Sequence, residues 1–526
     1  MGLRRVPFTS ESGGFQVNPK IRSQLLNRKR RIERRLDKRD LTGMERPIFT
    51  AANIHYEIAD RTRGLAHGGI GAIHALVREI GLIDAIDQRL HLLKIHLPFH
   101  ESDHVLNFAY NAFCEGTCLQ DIELRRNDEV FLDALGARRI PDPTTAGDFC
   151  RRFKENDVRT LLDVCHDTRI RVWSRQDSSF FDCAVIDADG TLVSTLGKCK
   201  SGMDIAYDGT WGYHPLVLTL ANTGEVLSIV NRSGNRPSHE GAAEETDRCM
   251  EVCFKGGFRR VLLRGDTDFS QTVHLDRWDD DDRVHFIFGY DAMPNLKAIA
   301  EDLPADAWRK LERPTAADPT SGQRRQRPDD VKDVIVRRRE FETLRLQSED
   351  VSEFCYQPTG CRKEYRMVVL RKNISREKGE VRLFDEIRYH FYITNDWNRT
   401  AAEVVYEANG RCNQENILSQ LHGGCHALHA SVNDLTSNWA YMVMTSLAWN
   451  LKAWWALHLP VAPGCHRAAQ REEKQWVLNL EFKTFVQAFV RIPCQLIRGG
   501  RRLIYRLLAW NPYQRIFFRL VNVLNC

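Results

Sequence analysis

Three acidic residues stand where carboxylates can do chemistry. Asp189 ends the β-branched run AVIDADGT, Asp266 ends RRVLLRGDTDF, and Glu415 lies within the helical pattern RCNQENILSQL. Two strand-end aspartates and one helical glutamate can converge on a pair of divalent ions. Two such ions, roughly 4 Å apart, clamp the attacking and leaving oxygens of a phosphoryl transfer. The chemistry implied is the cutting and joining of nucleic acid. Asp187 lies two residues before Asp189, so on a strand both side chains point to one face. Carboxylates sharing a face call for a cation or a proton between them, which makes Asp187 a further candidate ligand. Glu415 follows Arg411 by four residues and precedes His422 by seven, so the three share a helix face. Arg411 and His422 are placed to hold phosphate there. The plain alternatives are a surface ion pair for Arg411 and Glu415, and a turn or cap for each strand-end aspartate.

The elements that must position these groups follow in order. CAVIDADG, GYHPLVLTLA and EVLSIVNRSG have strand patterns, and NTGE between the last two is a hairpin turn. HEGAAEETDRCMEVCFKGG is a helix ended by Gly256 and Gly257. RRVLLRGD, the short helix TVHLDRW and the strand RVHFIFGYD complete the set. Three strands, then helix–strand–helix–strand, is the order of a ribonuclease H-like core. The expected fold class is therefore α/β with a mixed sheet. Four prolines from Pro304 to Pro328 introduce the strands DVIVRRREF, EYRMVVLRK and YHFYITND. Thr400 and Glu403 have capping-box spacing for the helix carrying Glu415, and Gly423 and Gly424 end it. A further helix is expected over roughly 433–458, with shorter ones after Pro460.

These signals divide the chain into a basic flexible arm (1–45), a helical DNA-binding region (50–170), and the first part of the core (180–294). A β-rich insertion (295–395), the second part of the core with the glutamate helix (396–460) and a C-terminal helical region (461–526) follow. The helical region carries Arg125, Arg126, Arg138, Arg139, Arg151 and Arg152 near predicted helix ends, where they can reach a DNA backbone.

Net charge is only +5, but eight of the twelve residues from Arg28 to Arg39 are Lys or Arg, and 324–339 and the last thirty residues are also basic. Several such patches favour a polyanionic partner. Hydrophobic content of 43% excludes a disordered chain. Fifteen cysteines without a CxxC or zinc spacing indicate free thiols in a reducing cytoplasm. The N-terminus has no apolar signal core, and Trp439–Leu459 is interrupted by Thr445, Ser446, Asn450 and Lys452, so a buried helix is expected there and no membrane span.

DADGTL also fits the first motif of haloacid dehalogenase-type Mg-dependent phosphatases. In that reading Asp187 is the nucleophile and Asp189 the general acid/base. Against it, the chain continues past Lys198 and Lys200 into two further strands rather than winding into a helix. That fold also gives the RCNQEN helix no task.

IDADGT, YHPL, GNRPSHEGA, LLRGDTDF, YITND and RCNQENILSQL, in this order, resemble the DDE-class insertion-sequence transposases, in the branch with a β insertion before the glutamate helix. The resemblance covers most of residues 60–460. It implies that Asp189, Asp266 and Glu415 are the catalytic, metal-holding triad, with two Mg²⁺ (or Mn²⁺) ions and no nucleotide cofactor. It assigns Arg411 to DNA; His422, Tyr406 and, in the basic β insertion, Arg337, Arg338 and Arg339 are further candidates for DNA contact. The implied partners are double-stranded DNA, as terminal inverted repeats and target, and a second copy in a homodimer on paired ends, with the C-terminal region as a dimerisation candidate. The implied location is the bacterial cytoplasm, at the nucleoid. The family's tyrosine seven before the glutamate is Ala408 here, with Tyr406 the nearest, and its lysine seven after is His422. An inactive DNA-binding relic is the third reading.

Overall fold

A computed structural model describes residues 18–37, 51, 54–56, 58, 62–96, 98–197, 199–312, 338–339, 342–378, 381–499 and 502–524. Its strands are β1 (Ala184–Gly190), β2 (Leu216–Leu220), β3 (Glu225–Val230), β4 (Val261–Gly265), β5 (Val284–Tyr290), β6 (Glu342–Tyr356), β7 (Tyr365–Lys378) and β8 (Val381–Thr394). The helices that matter here are α1 (Pro19–Arg35), α2 (Glu155–Trp173), α3 (Ala242–Lys255), α4 (Ala401–Gly410), α5 (Cys412–Gly423) and α6 (Leu435–Leu457).

The first five strands lie in the order β3-β2-β1-β4-β5. β1 pairs antiparallel with β2, and β2 with β3, whereas β1–β4 and β4–β5 are parallel. This is the mixed sheet expected from the element order. The NTGE turn closes β2 onto β3, with Gly224 at φ +72°, where a side chain would be strained. The parallel pairs need crossovers, supplied by α3 and by the helix Thr272–Asp279. β2 and β4 are buried along their whole length, as expected of strands covered on both faces.

β6, β7 and β8 form an antiparallel meander whose last strand bonds to β5 through Phe391–Thr394. With Arg309–Lys310 at the far edge, the sheet reaches nine strands. The β-rich segment is thus a continuation of the core sheet. Helix α6 is buried almost end to end and packs on β3 and on α2. Among the described residues, no helix is long and apolar enough to cross a membrane.

One buried carboxylate joins three layers. Glu225 at the start of β3 accepts from Arg169 Nε (3.2 Å) and Trp173 Nε1 (2.9 Å) of α2, from Trp454 Nε1 (2.7 Å) of α6, and from Thr223 Oγ1 (2.6 Å). Glu225 and Arg169 are both fully buried. A charge in such a place persists only when every acceptor and donor around it is used.

Among the described residues, no carboxylate pairs with Lys452, also on α6. Its ammonium donates to Leu478 O (2.7 Å) and lies 3.9 Å from the centre of the Trp449 ring. Burial pushes it down to about 7, against about 10.4 in an unfolded chain. Below pH 7 both states are protonated, and the full cost of burying the charge falls on the folded state. The cost fades as pH rises from 7 toward 10.4, where the unfolded chain also loses its proton. Lys452→Met is therefore expected to raise stability by roughly 2–3 kcal/mol at pH 6, after allowing for the orphaned carbonyl. The gain should be gone by about pH 10. Urea midpoints at the two pH values measure this, and no gain at pH 6 would contradict it.

Two segments depart from expectation. Within the segment expected to be a flexible arm, Pro19–Arg35 is helical, started by the Asn18 side chain accepting from Lys20 N and by Pro19 in the first turn. After Pro460, helical structure continues to Val490, but Cys494–Gly499 and Arg502–Leu507 form a hairpin that also pairs with Gly64–Leu65. Tyr505 donates to Ala134 O across this contact. The hairpin closes on a partner more than four hundred residues away, which local periodicity does not record.

Candidate active site

β1 and β4 run parallel with Asp187 opposite Arg264. The same register, carried two residues on, sets Asp189 beside Asp266 at the carboxyl ends of neighbouring strands. Open α/β sheets bind their ligands at such ends. Asp266 also caps the turn Thr267–Phe269, accepting from Asp268 N (3.0 Å). Burial pushes the Asp189 carboxyl up to about 6; Asp266 adds to the rise and Arg411 opposes it. Asp266 is raised by burial and by Asp268, again against Arg411.

The glutamate arrives on the second of two helices. The Thr400–Glu403 capping box opens α4, but the helix breaks after Gly410 and α5 begins behind Arg411. Arg411 therefore sits at the joint. Its Nη1 lies 3.1 Å from Asp189 Oδ2, and its Nη2 lies 4.0 Å from Glu415 Oε1. Glu415 is 64% exposed at its side chain. The guanidinium thus stands between the strand-end pair and the helical carboxylate. Among the described residues, no three His, Cys, Asp or Glu side chains stand close enough to hold a metal ion together. The Asp189–Asp266 pair itself fits a divalent cation: two half-buried carboxylates whose charges raise the Asp189 titration gain from a cation between them.

Helix α5 is pinned to the sheet at two further points. Gln414, fully buried, donates through Nε2 to Asp187 O (3.2 Å) and Val217 O (2.9 Å). His422 Nε2 lies 3.0 Å from Thr191 Oγ1, two residues beyond Asp189. Burial lowers the His422 pKa, so it is neutral at pH 7.

The other sequence candidates lie elsewhere. Asp187 is fully buried, and both its oxygens are taken by Arg264, at 2.7 and 2.8 Å. The cation that two same-face carboxylates call for is, at Asp187, a guanidinium. Burial raises the Asp187 carboxyl above its usual range and Arg264 opposes the rise. An enclosed, ion-paired Asp187 cannot serve as a phosphatase nucleophile. Tyr406 donates its hydroxyl to Glu312 O and packs against a small apolar cluster with Leu311 and Val405. Arg338 and Arg339 are exposed; Arg337 lies outside the described residues.

Sequence reasoning did not find Arg264, Gln414 or Gly410. The signal for Arg264 was present: an arginine inside VLLRG, on a strand flanked by apolar residues, demands a partner.

Residues 62–526 match the family described as transposase DDE domain, group 1. A chain in the cryo-EM structure of the piggyBac transposase synaptic complex with hairpin DNA is similar at a TM-score of 0.36 and 11% identity, over 82% of this chain and 84% of that one. No curated protein matches the sequence.

Proposed function

The chain belongs to the DDE transposase family, enzymes that cleave DNA and transfer strands with divalent metal ions, and from that premise we propose that Asp189, Asp266 and Glu415 form its reacting site. The observation that carries this reading is the Arg411 guanidinium, which contacts Asp189 and approaches Glu415 across the end of β1. It ties together carboxylates more than two hundred residues apart in sequence. Asp189 and Asp266 would hold the metal, as two Mg²⁺ or Mn²⁺ ions, with Glu415 completing the set. When bound, the ions supply positive charge to the attacking and leaving oxygens of the scissile phosphodiester.

The remaining roles belong to the chain. Arg411 exchanges Asp189 for a phosphate oxygen when DNA enters, a bidentate contact that guanidinium geometry favours. His422, held by Thr191, keeps α5 against β1 rather than reaching a phosphate. Helix α1, with eight Lys or Arg and no buried residue, and the helical region 50–170 bind the terminal inverted repeats. Arg338 and Arg339, with Arg337, contact DNA near the cut. Two copies assemble on paired ends through the C-terminal region. The resemblance to insertion-sequence transposases, with a DNA substrate, supports a location in the bacterial cytoplasm, at the nucleoid.

The test is strand nicking of a labelled duplex carrying the inverted repeat that flanks the gene, with purified protein and Mg²⁺. Nicking at the repeat end is expected. Tight, salt-sensitive binding without nicking would establish the inactive relic instead.

A further inference from the structure

We propose that Arg264 is a positioning residue for strand cleavage: a buried guanidinium, one layer beneath the reacting carboxylates, that fixes β1, β4 and the α4–α5 joint relative to one another. The proposal rests on the reading of Asp189, Asp266 and Glu415 as the reacting site.

Arg264 is 6% exposed and lies on β4, two residues before Asp266. Its Nε and Nη2 grip both oxygens of Asp187, two residues before Asp189 on β1. Its Nη1 donates to Glu407 O (2.9 Å) and meets Glu407 Oε2 (3.3 Å), in the last turn of α4. From β4, which ends at Asp266, Arg264 thus joins the strand that carries Asp189 to the end of α4, which leads through Arg411 into the helix of Glu415. The offsets repeat: two residues on each strand, and four from Glu407 to Arg411.

The site is shaped for this contact. A Cβ on Gly410 would lie 2.5 Å from Arg264 Nη1, so the glycine before Arg411 lets the guanidinium approach the helix end. Gln414 closes the same layer from the other side, through Asp187 O. Lysine could not replace the arginine here, because one ammonium cannot span a carboxylate bidentately and also reach a carbonyl beyond it.

A structural ion pair and a positioning device predict different outcomes. Arg264→Lys keeps a buried cation against Asp187 but loses the fixed fork. The double variant Asp187→Leu/Arg264→Met replaces the pair with apolar volume, which folded proteins commonly tolerate, and cannot tether Glu407. Both are made in the full chain and checked by thermal melting and by a band shift with the inverted-repeat duplex. The positioning role predicts folded variants that bind DNA as the parent does, with a single-turnover nicking rate lower by roughly 10²-fold. It also predicts that Mn²⁺ affinity without DNA, read by EPR, weakens about tenfold. Should the double variant fail to fold, Arg264→Lys alone carries the test. Parental nicking and parental Mn²⁺ affinity in either folded variant would overturn the proposal. An inert parent that binds Mn²⁺ more tightly than Arg264→Lys would overturn the cleavage reading and leave the positioning of the carboxylates standing.

Discussion

Asp266→Asn and Glu415→Gln are each expected to lower strand nicking by at least roughly 10³-fold, a loss of about 4 kcal/mol of transition-state stabilisation, while DNA binding stays at the parental level. Both substitutions keep size and polarity and remove only charge. For Asp266 there is a second readout independent of activity. Its negative charge helps hold the Asp189 carboxyl near 6, so in the metal-free Asp266→Asn protein Asp189 should titrate lower. Carboxyl NMR across pH 4–8 follows this directly. An Asp189 titration unmoved by the change would separate the two strand ends. Full nicking by Glu415→Gln would remove that residue from the reaction.

Glu225→Ala is expected to destabilise the protein by about 3–5 kcal/mol, the usual cost of leaving one member of a buried ion pair uncompensated. The substitution strands the Arg169 guanidinium and two indole N–H groups in the interior at once, since all three donate to this carboxylate. Because α2, β3 and α6 meet there, the loss should appear as earlier melting of the N-terminal helices together with the sheet. The apparent melting temperature and tryptophan fluorescence report it. A variant that melts with the parent would show that the three layers do not depend on this link. The chain is too large for a single two-state transition, so the comparison is between parent and variant under one protocol.

Much of this architecture was legible in the residues. AVIDADG and VLLRGD announced strands ending in acid, NTGE announced a hairpin, and Gly423–Gly424 ended the glutamate helix where the structure ends it. Each of these is a local signal, set by side-chain size, branching and backbone freedom within a few residues. What escaped was set at a distance. At the break, Gly410 leaves the space that Arg264, on another strand, occupies, and Arg264 takes the Glu407 carbonyl. The insertion strands join the core sheet through a four-residue pairing of β8 with β5, which no periodicity encodes. Asp187 shared its face with Asp189 as the strand spacing required, yet the two differ in fate. One faces a buried arginine and the other the open end of the sheet, and that difference lies in the neighbouring strand. Tyr406 and His422 were chosen by their offset from Glu415, and offset alone does not reveal that a carbonyl or a threonine already holds them.

The most direct measurement is anomalous diffraction from crystals of the protein bound to its inverted-repeat duplex and soaked in Mn²⁺. Manganese density between the Asp189 and Asp266 carboxylates is expected, with the Glu415 carboxylate drawn in beside it and Arg411 turned onto a DNA phosphate. Manganese bound elsewhere on the chain, or Glu415 still pointing to solvent with DNA in place, would contradict the assignment of these three residues to one site.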